Sequence, residues 1–143
     1  MLLLPGKSIL YLWPVCARFL PLRPAYKIDS YFYYVMEKIV CHIKERSFIA
    51  RLAARRMNSE QLAMVIGKTI HLHGVTRKEF LRHPWWVRHE VCHIMQYQEL
   101  GLLPFLWRYL WECKKVGYYA NRFEVAARAA EKNATITNRV IFS

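Results

Sequence analysis

The stretch Trp85–Leu100, WWVRHEVCHIMQYQEL, decides how the chain is to be read. Within it His89, Glu90 and His93 stand in the order His-Glu-Val-Cys-His. Val87, Val91, Ile94 and Met95 recur at helical spacing, Pro84 stands where a helix can start, and Gly101 is placed as its stop. On such a helix His89 and His93 lie on one face about one turn apart. Both imidazoles can then reach a single tetrahedral ion from the same side. Glu90 emerges beside that ion, where it can take a proton from water. The competing reading is a surface helix with two solvated histidines. A third ligand decides between them, because two histidines rarely hold zinc alone.

Downstream of the stretch, Leu102–Lys115 (LLPFLWRYLWECKK) reads as a second, strongly apolar helix that Gly117 ends. Burial is the preferred reading of its wide apolar surface, with a membrane-interface helix as the alternative. Asn121 reads as the N-cap of a last helix, Arg122–Lys132, which Asn133 closes. Glu124 lies in its first turn, and Ala126, Ala127, Ala129 and Ala130 let it approach the first helix closely. By itself Glu124 is equally a first-turn glutamate that favours the helix N-terminus. The tail ATITNRVIFS reads as a short strand or a frayed end.

Upstream, Lys38–Lys44 (KIVCHIK) is a candidate strand, and Ser47 resembles the N-cap of a helix over Phe48–Met57 with arginines on its outer face. Leu62–Ile66 and Thr69–Leu72 flank Gly67-Lys68, a hairpin signal with glycine first. In the second of these strands His71 and His73 share a face, because side chains alternate with a period of two. They are candidate extra ligands, though ordinary partly buried histidines are the commoner case. Thr76 and Glu79 form a capping box for a short helix over Arg77–Arg82.

The chain has 143 residues, enough for one domain with a modest core. At 55% hydrophobic and 15% aromatic it is not disordered throughout. A net charge of +12 permits contact with nucleic acid, anionic lipid or an acidic protein without choosing among them. No compact basic run or nucleic-acid module appears, so no specific nucleic-acid partner is expected. Cys16, Cys41, Cys92 and Cys113 are far apart and form no Cys-x-x-Cys pair, which argues against a cysteine zinc site and for a reducing, cytoplasmic setting. Residues 1–37 read as an apolar arm rich in proline. Pro5, Pro14, Pro21 and Pro24 interrupt it, leaving no stretch long enough to span a membrane. Such an arm packs on the domain or rests on a membrane surface, and packing is preferred.

His-Glu-x-x-His on one helix, followed by Arg122-Phe123-Glu124 opening a later alanine-rich helix, resembles the gluzincin metallopeptidases. Over roughly residues 38–132 the order strand, helix, hairpin, motif helix, glutamate helix is similar to the minimal single-domain gluzincins. It is similar also to the zincin-like domain of bacterial extracellular contractile injection systems. The resemblance implies that His89, His93 and Glu124 bind Zn2+ and that Glu90 is the general base of peptide hydrolysis. One departure stands out: CAAX-processing relatives carry an aspartate four residues after the ligand glutamate, where this chain has Arg128. Tyr118, Tyr119 and Arg128, near the glutamate helix, are candidate transition-state donors. In zincins the substrate lies along an exposed strand beside the motif helix, and Thr69, Ile70, His71 and Leu72 are the candidates for it.

The expectation is therefore an α+β fold, a zincin-like domain over residues 38–143. A small mixed sheet of about three strands packs on the motif helix and the glutamate helix. The expected activity is zinc-dependent hydrolysis of a peptide or protein substrate. The alternative is a non-catalytic zinc-containing interaction module, its zinc structural or vestigial; a closed four-ligand site, completed by His71 or His73, would point to a structural ion. Peripheral membrane contact through residues 1–37 and the Leu102–Cys113 segment is a third expectation.

Overall fold

A computed structural model describes residues 38–143, and the arm expected over residues 1–37, with Cys16, lies outside the described residues. In chain order the elements are β1 (Ile39–Lys44), α1 (Phe48–Met57), β2 (Leu62–Ile66), β3 (Thr69–His73), α2 (Arg77–Leu81), α3 (Pro84–Leu100), α4 (Leu102–Ala120) and α5 (Arg122–Ala130). A 3-10 turn (Ile136–Arg139) and β4 (Val140–Phe142) complete it. The fold is α+β.

The strands obey their side-chain alternation. In β1, Cys41 is buried and Ile39 and Ile43 are half-buried, whereas Val40, His42 and Lys44 point to solvent. β2 and β3 form the expected hairpin, with Ile66 opposite Thr69 and Gly67 at φ 63 in the first loop position. β3 continues the sheet by parallel pairing with β1, the helical crossover through α1 supplying the chain length that parallel strands require. The tail supplies a fourth strand. Val140, Ile141 and Phe142 pair in parallel with Ile39, Val40 and Cys41, giving the order β2-β3-β1-β4. Three β-prone residues, with Val140 buried, are enough to fix the end that the sequence left open between strand and fraying.

Each face of the sheet carries a helix. Ile70 and Leu72 of β3 join Val87, Val91 and Ile94 of α3 in the main core, with Cys41, Phe80, Phe123 and Ile136. On the other face Ala50 and Ala54 of α1 pack with Leu62. Ser47 occupies the N-cap position of α1, but its side chain caps nothing. Its hydroxyl is instead 2.9 Å from Nδ1 of His71, inside the layer between α1 and β3. α2 forms under the predicted capping box, Thr76 N–H donating to the Glu79 carboxylate and Glu79 N–H to the Thr76 hydroxyl.

α3 begins with Pro84 in its first turn and ends at Gly101, whose φ of 82 favours glycine. The single residue Gly101 turns the chain into α4, which is interrupted at Gly117 (φ 78). Preferred burial of α4 is not what the fold delivers: Phe105 is its buried residue, Leu106 and Tyr109 are partly covered, and Leu103, Trp107, Leu110 and Trp111 lie exposed. The helix is apolar nearly all round, yet α3 and α5 can cover only one side of it. No helix among the described residues is long and apolar enough to cross a membrane.

Candidate metal centre

Anchoring of α3 on the sheet sets the site. The stripe of Val87, Val91 and Ile94 faces the strands, and at about 100° per residue this turns His89 and His93 away from them toward α4 and α5. Glu90 falls between the two directions, so it is only 3% exposed. α5 comes to meet the histidines because Asn121 fixes its start. Its Oδ1 accepts from Phe123 N–H, while its Nδ2 donates to the Tyr109 carbonyl of α4 at 3.1 Å and to Cys113 Sγ. Phe123 is buried against Phe105 and Tyr109, and Ala127 is fully buried. Of the four alanines expected to permit close approach, Ala127 is buried and Ala130 partly so, whereas Ala126 and Ala129 are exposed.

Glu124 arrives between the two imidazoles. Nε2 of His89 is 3.3 Å from Glu124 Oε2, Nε2 of His93 is 3.3 Å from Glu124 Oε1, and the two Nε2 atoms are 3.3 Å apart. For bonds of about 2.0–2.1 Å, a tetrahedral ion sets its ligand atoms about 3.3–3.4 Å apart, which the two Nε2 atoms meet, while the Glu124 contacts are divided between its two oxygens. His89, His93 and Glu124 form a group that could hold a metal ion.

The outer partners fit the same reading. Nδ1–H of His89 donates to Glu131 Oε1 at 3.0 Å, and Nδ1–H of His93 donates to Gln96 Oε1 at 2.8 Å. With each Nδ1 donating outward, both Nε2 atoms face the shared centre, the arrangement that metal-binding histidines use. Gln96 is itself held by donating to the Phe123 carbonyl, and Arg88 donates to the Glu131 carbonyl. Tyr109 O–H donates to Glu124 Oε1 at 2.6 Å. Oε2 of Glu90 and Oε2 of Glu124 are buried with no hydrogen-bond partner. A buried Glu90 oxygen with no hydrogen-bond partner and the Glu124 carboxylate, beside two convergent imidazoles, make a site that suits a cation.

Electrostatics agree. Burial disfavours a charged His89, but Glu124, Glu90 and Glu131 together outweigh it and push its pKa up to about 9. Burial alone would raise Glu124. The two histidines and the Tyr109 hydroxyl reverse this and hold its carboxyl far below the usual range. Glu90 is raised, because burial outweighs the attraction of His93 and His89. Such a carboxylate accepts a proton more readily than an exposed one.

The other candidates separate. Tyr118 borders the site: it is 40% exposed, and burial of the rest of its ring, followed by the charges of Glu124 and Glu90, raises its pKa. Tyr119 is 81% exposed. Arg128 donates to the Tyr119 carbonyl and stacks on that ring, so it is engaged away from the histidines. A different carboxylate, Glu131, seven residues after Glu124, stands behind His89. His71 and His73 take no part, because Ile70 and Leu72 occupy the α3 face of β3 and His71 lies on the opposite face with Ser47. Thr69–Leu72 are not an exposed strand either. β3 is paired on both sides, with β2 and β1, and can accept no further strand. Among the described residues the edges are β2 and β4, and β2 packs against α3. Gln96, Tyr109 and Glu131 were not found from the sequence. Gln96 sits three residues after His93 and Glu131 seven after Glu124, both on the faces of those ligands. Tyr109 left no such signal, because it meets Glu124 only across a helix pair.

Compared with known proteins, the chain matches no family model, no curated protein and no solved structure.

Proposed function

We propose that the chain is a zinc-dependent metallopeptidase of gluzincin type, with His89, His93 and Glu124 as ligands and Glu90 as general base. The observation that supports it most is the convergence of one donor atom each from His89, His93 and Glu124 to within 4.8 Å of one another, beside a buried Glu90 oxygen with no hydrogen-bond partner. When bound, zinc supplies Lewis acidity that eases the ionisation of water and polarises a carbonyl. Glu90 accepts the proton of the attacking water and returns it to the leaving amine, a role that suits a carboxyl raised by burial. Tyr109 and Glu131 hold Glu124 and His89 in place, and Gln96 does the same for His93. Tyr118 is the candidate donor to the oxyanion of the scissile carbonyl, since its hydroxyl feels the charge of Glu124. The peptide lies along the open edge of β2 rather than along β3, adding a strand beside α3.

A non-catalytic zinc module with an enclosed ion is the weaker reading, because its fourth ligand was to come from His71 or His73. Both lie across the sheet, and the convergent group has three members among the described residues. The test is metal content together with cleavage of quenched fluorescent peptides. One zinc per chain, with cleavage abolished and zinc retained in Glu90→Gln, is the expected result. Zinc lost from Glu90→Gln, or cleavage unchanged by it, overturns the assignment.

A further inference from the structure

The outward side of α4 carries a surface that the metal centre does not use. Leu103, Trp107 and Leu110 follow one another at helical spacing and are 75%, 70% and 62% exposed, with Trp111 beside them. The Trp107 and Trp111 indoles stack, their centroids 6.1 Å apart and their planes 13° from parallel. Lys114 continues the row by one turn, and the ammonium groups of Lys114 and Lys115 lie 5.8 and 5.3 Å from the centre of the Trp111 ring. Phe105 and Tyr109 occupy the inner side of the same helix, against α5. Apolar row, paired indoles and lysines therefore share one side of one helix.

Charge selects the occupant. The chain carries +12, so a second copy meets long-range repulsion, whereas an anionic surface attracts it. Indoles settle where apolar and wet regions meet, and lysines extend from an apolar row toward phosphates. An apolar row of this length lies in an interface and does not span it. We propose that α4 is an interfacial docking helix for anionic lipid, with Leu103, Trp107 and Leu110 entering the headgroup boundary and Lys114 and Lys115 at the phosphates. Tyr109 on the inner side holds Glu124. Docking thus sets the metal centre about one helix diameter, roughly 10 Å, above the lipid. This placement does not depend on the ion or on hydrolysis.

Flotation of the full chain with vesicles tests it, comparing phosphatidylcholine mixed with phosphatidylglycerol against phosphatidylcholine alone. The chain is expected to float with the anionic vesicles, and its indole emission to shift to the blue. The doubly substituted Trp107→Glu, Leu110→Glu protein is expected to lose about tenfold or more in partitioning. Phe48→Glu with Leu52→Glu, on the exposed side of α1 across the sheet, is expected to float like the unaltered chain. Circular dichroism and zinc content verify that the variants keep the fold and the site. Absence of flotation overturns the proposal, as does equal flotation with phosphatidylcholine alone. An α4 variant that floats undiminished places the lipid contact elsewhere in the chain. A dimer that the α4 substitutions dissociate, without vesicle binding, makes the face a contact between copies instead.

Discussion

Two histidine pairs, His89 and His93 on α3 and His71 and His73 on β3, each share a face of their element, and the fold puts them to opposite uses. The α3 pair finds a carboxylate between its Nε2 atoms and an acceptor behind each Nδ1. On β3, His71 finds a serine hydroxyl beside a helix of small residues. Burial lowers the pKa of His71, with Lys44 adding to it, whereas carboxylates raise that of His89. Spacing alone thus qualifies a pair, and what arrives from other elements decides whether it can become a site.

The largest effect that can break this contrast is loss of metal. Glu124→Ala and His93→Ala are each expected to abolish stoichiometric zinc, measured by elemental analysis of the purified chain, while His71→Asn keeps one zinc per chain. Zinc lost equally from His71→Asn would erase the distinction between the pairs.

Next is the rate. Glu90→Gln is expected to lower peptide cleavage by about 10²–10⁴-fold at unchanged zinc content, the usual contribution of a general base.

The outer partners should cost less. Glu131→Ala and Gln96→Ala each remove the acceptor behind one imidazole, and zinc affinity is expected to fall by about 10–100-fold in competition with a chromophoric chelator. On the other face, Ser47→Ala leaves His71 without its buried partner. It should lower stability by about 1–3 kcal/mol in urea unfolding, with zinc binding unaffected.

The smallest and most discriminating effect is with pH, in protein stripped of metal by a chelator. His89, raised to about 9, contributes stability that is complete below its unfolded value near 6.5 and is lost as pH rises through about 9. His71, lowered, contributes the reverse: the unfolded chain takes up the proton first, so stability is lost as pH falls below about 6.5. Imidazole NMR titrations should therefore show His89 charged at pH 8, and His71 losing its proton below the ordinary imidazole value. Titration of both near the same pH would collapse the comparison.

Much of this was legible in the residues. Periodicity placed α3, the turn glycine placed the β2–β3 hairpin, and Asn121 and Thr76 marked the starts of α5 and α2. Each rests on forces acting within a few positions along the chain. Glu124 as a candidate ligand was legible because it opens a helix that short connections fold back on the first. The double hydrogen bonding of Asn121, which locks α5 onto α4, was not. Nor was the exposure of α4, whose apolar surface is wider than its neighbours can cover.

The sequence by itself determined the helices, the hairpin and the shared face of His89 and His93, because helical and strand periods are local geometry, while Glu124 as their partner was what the family resemblance implied. Only the tertiary structure decided that β3 is an interior strand, that His71 faces α1 and that Glu131 stands behind His89. These depend on which elements become neighbours. That is settled by burial of the common core of Ile70, Leu72, Val91 and Ile94, and no local rule encodes it.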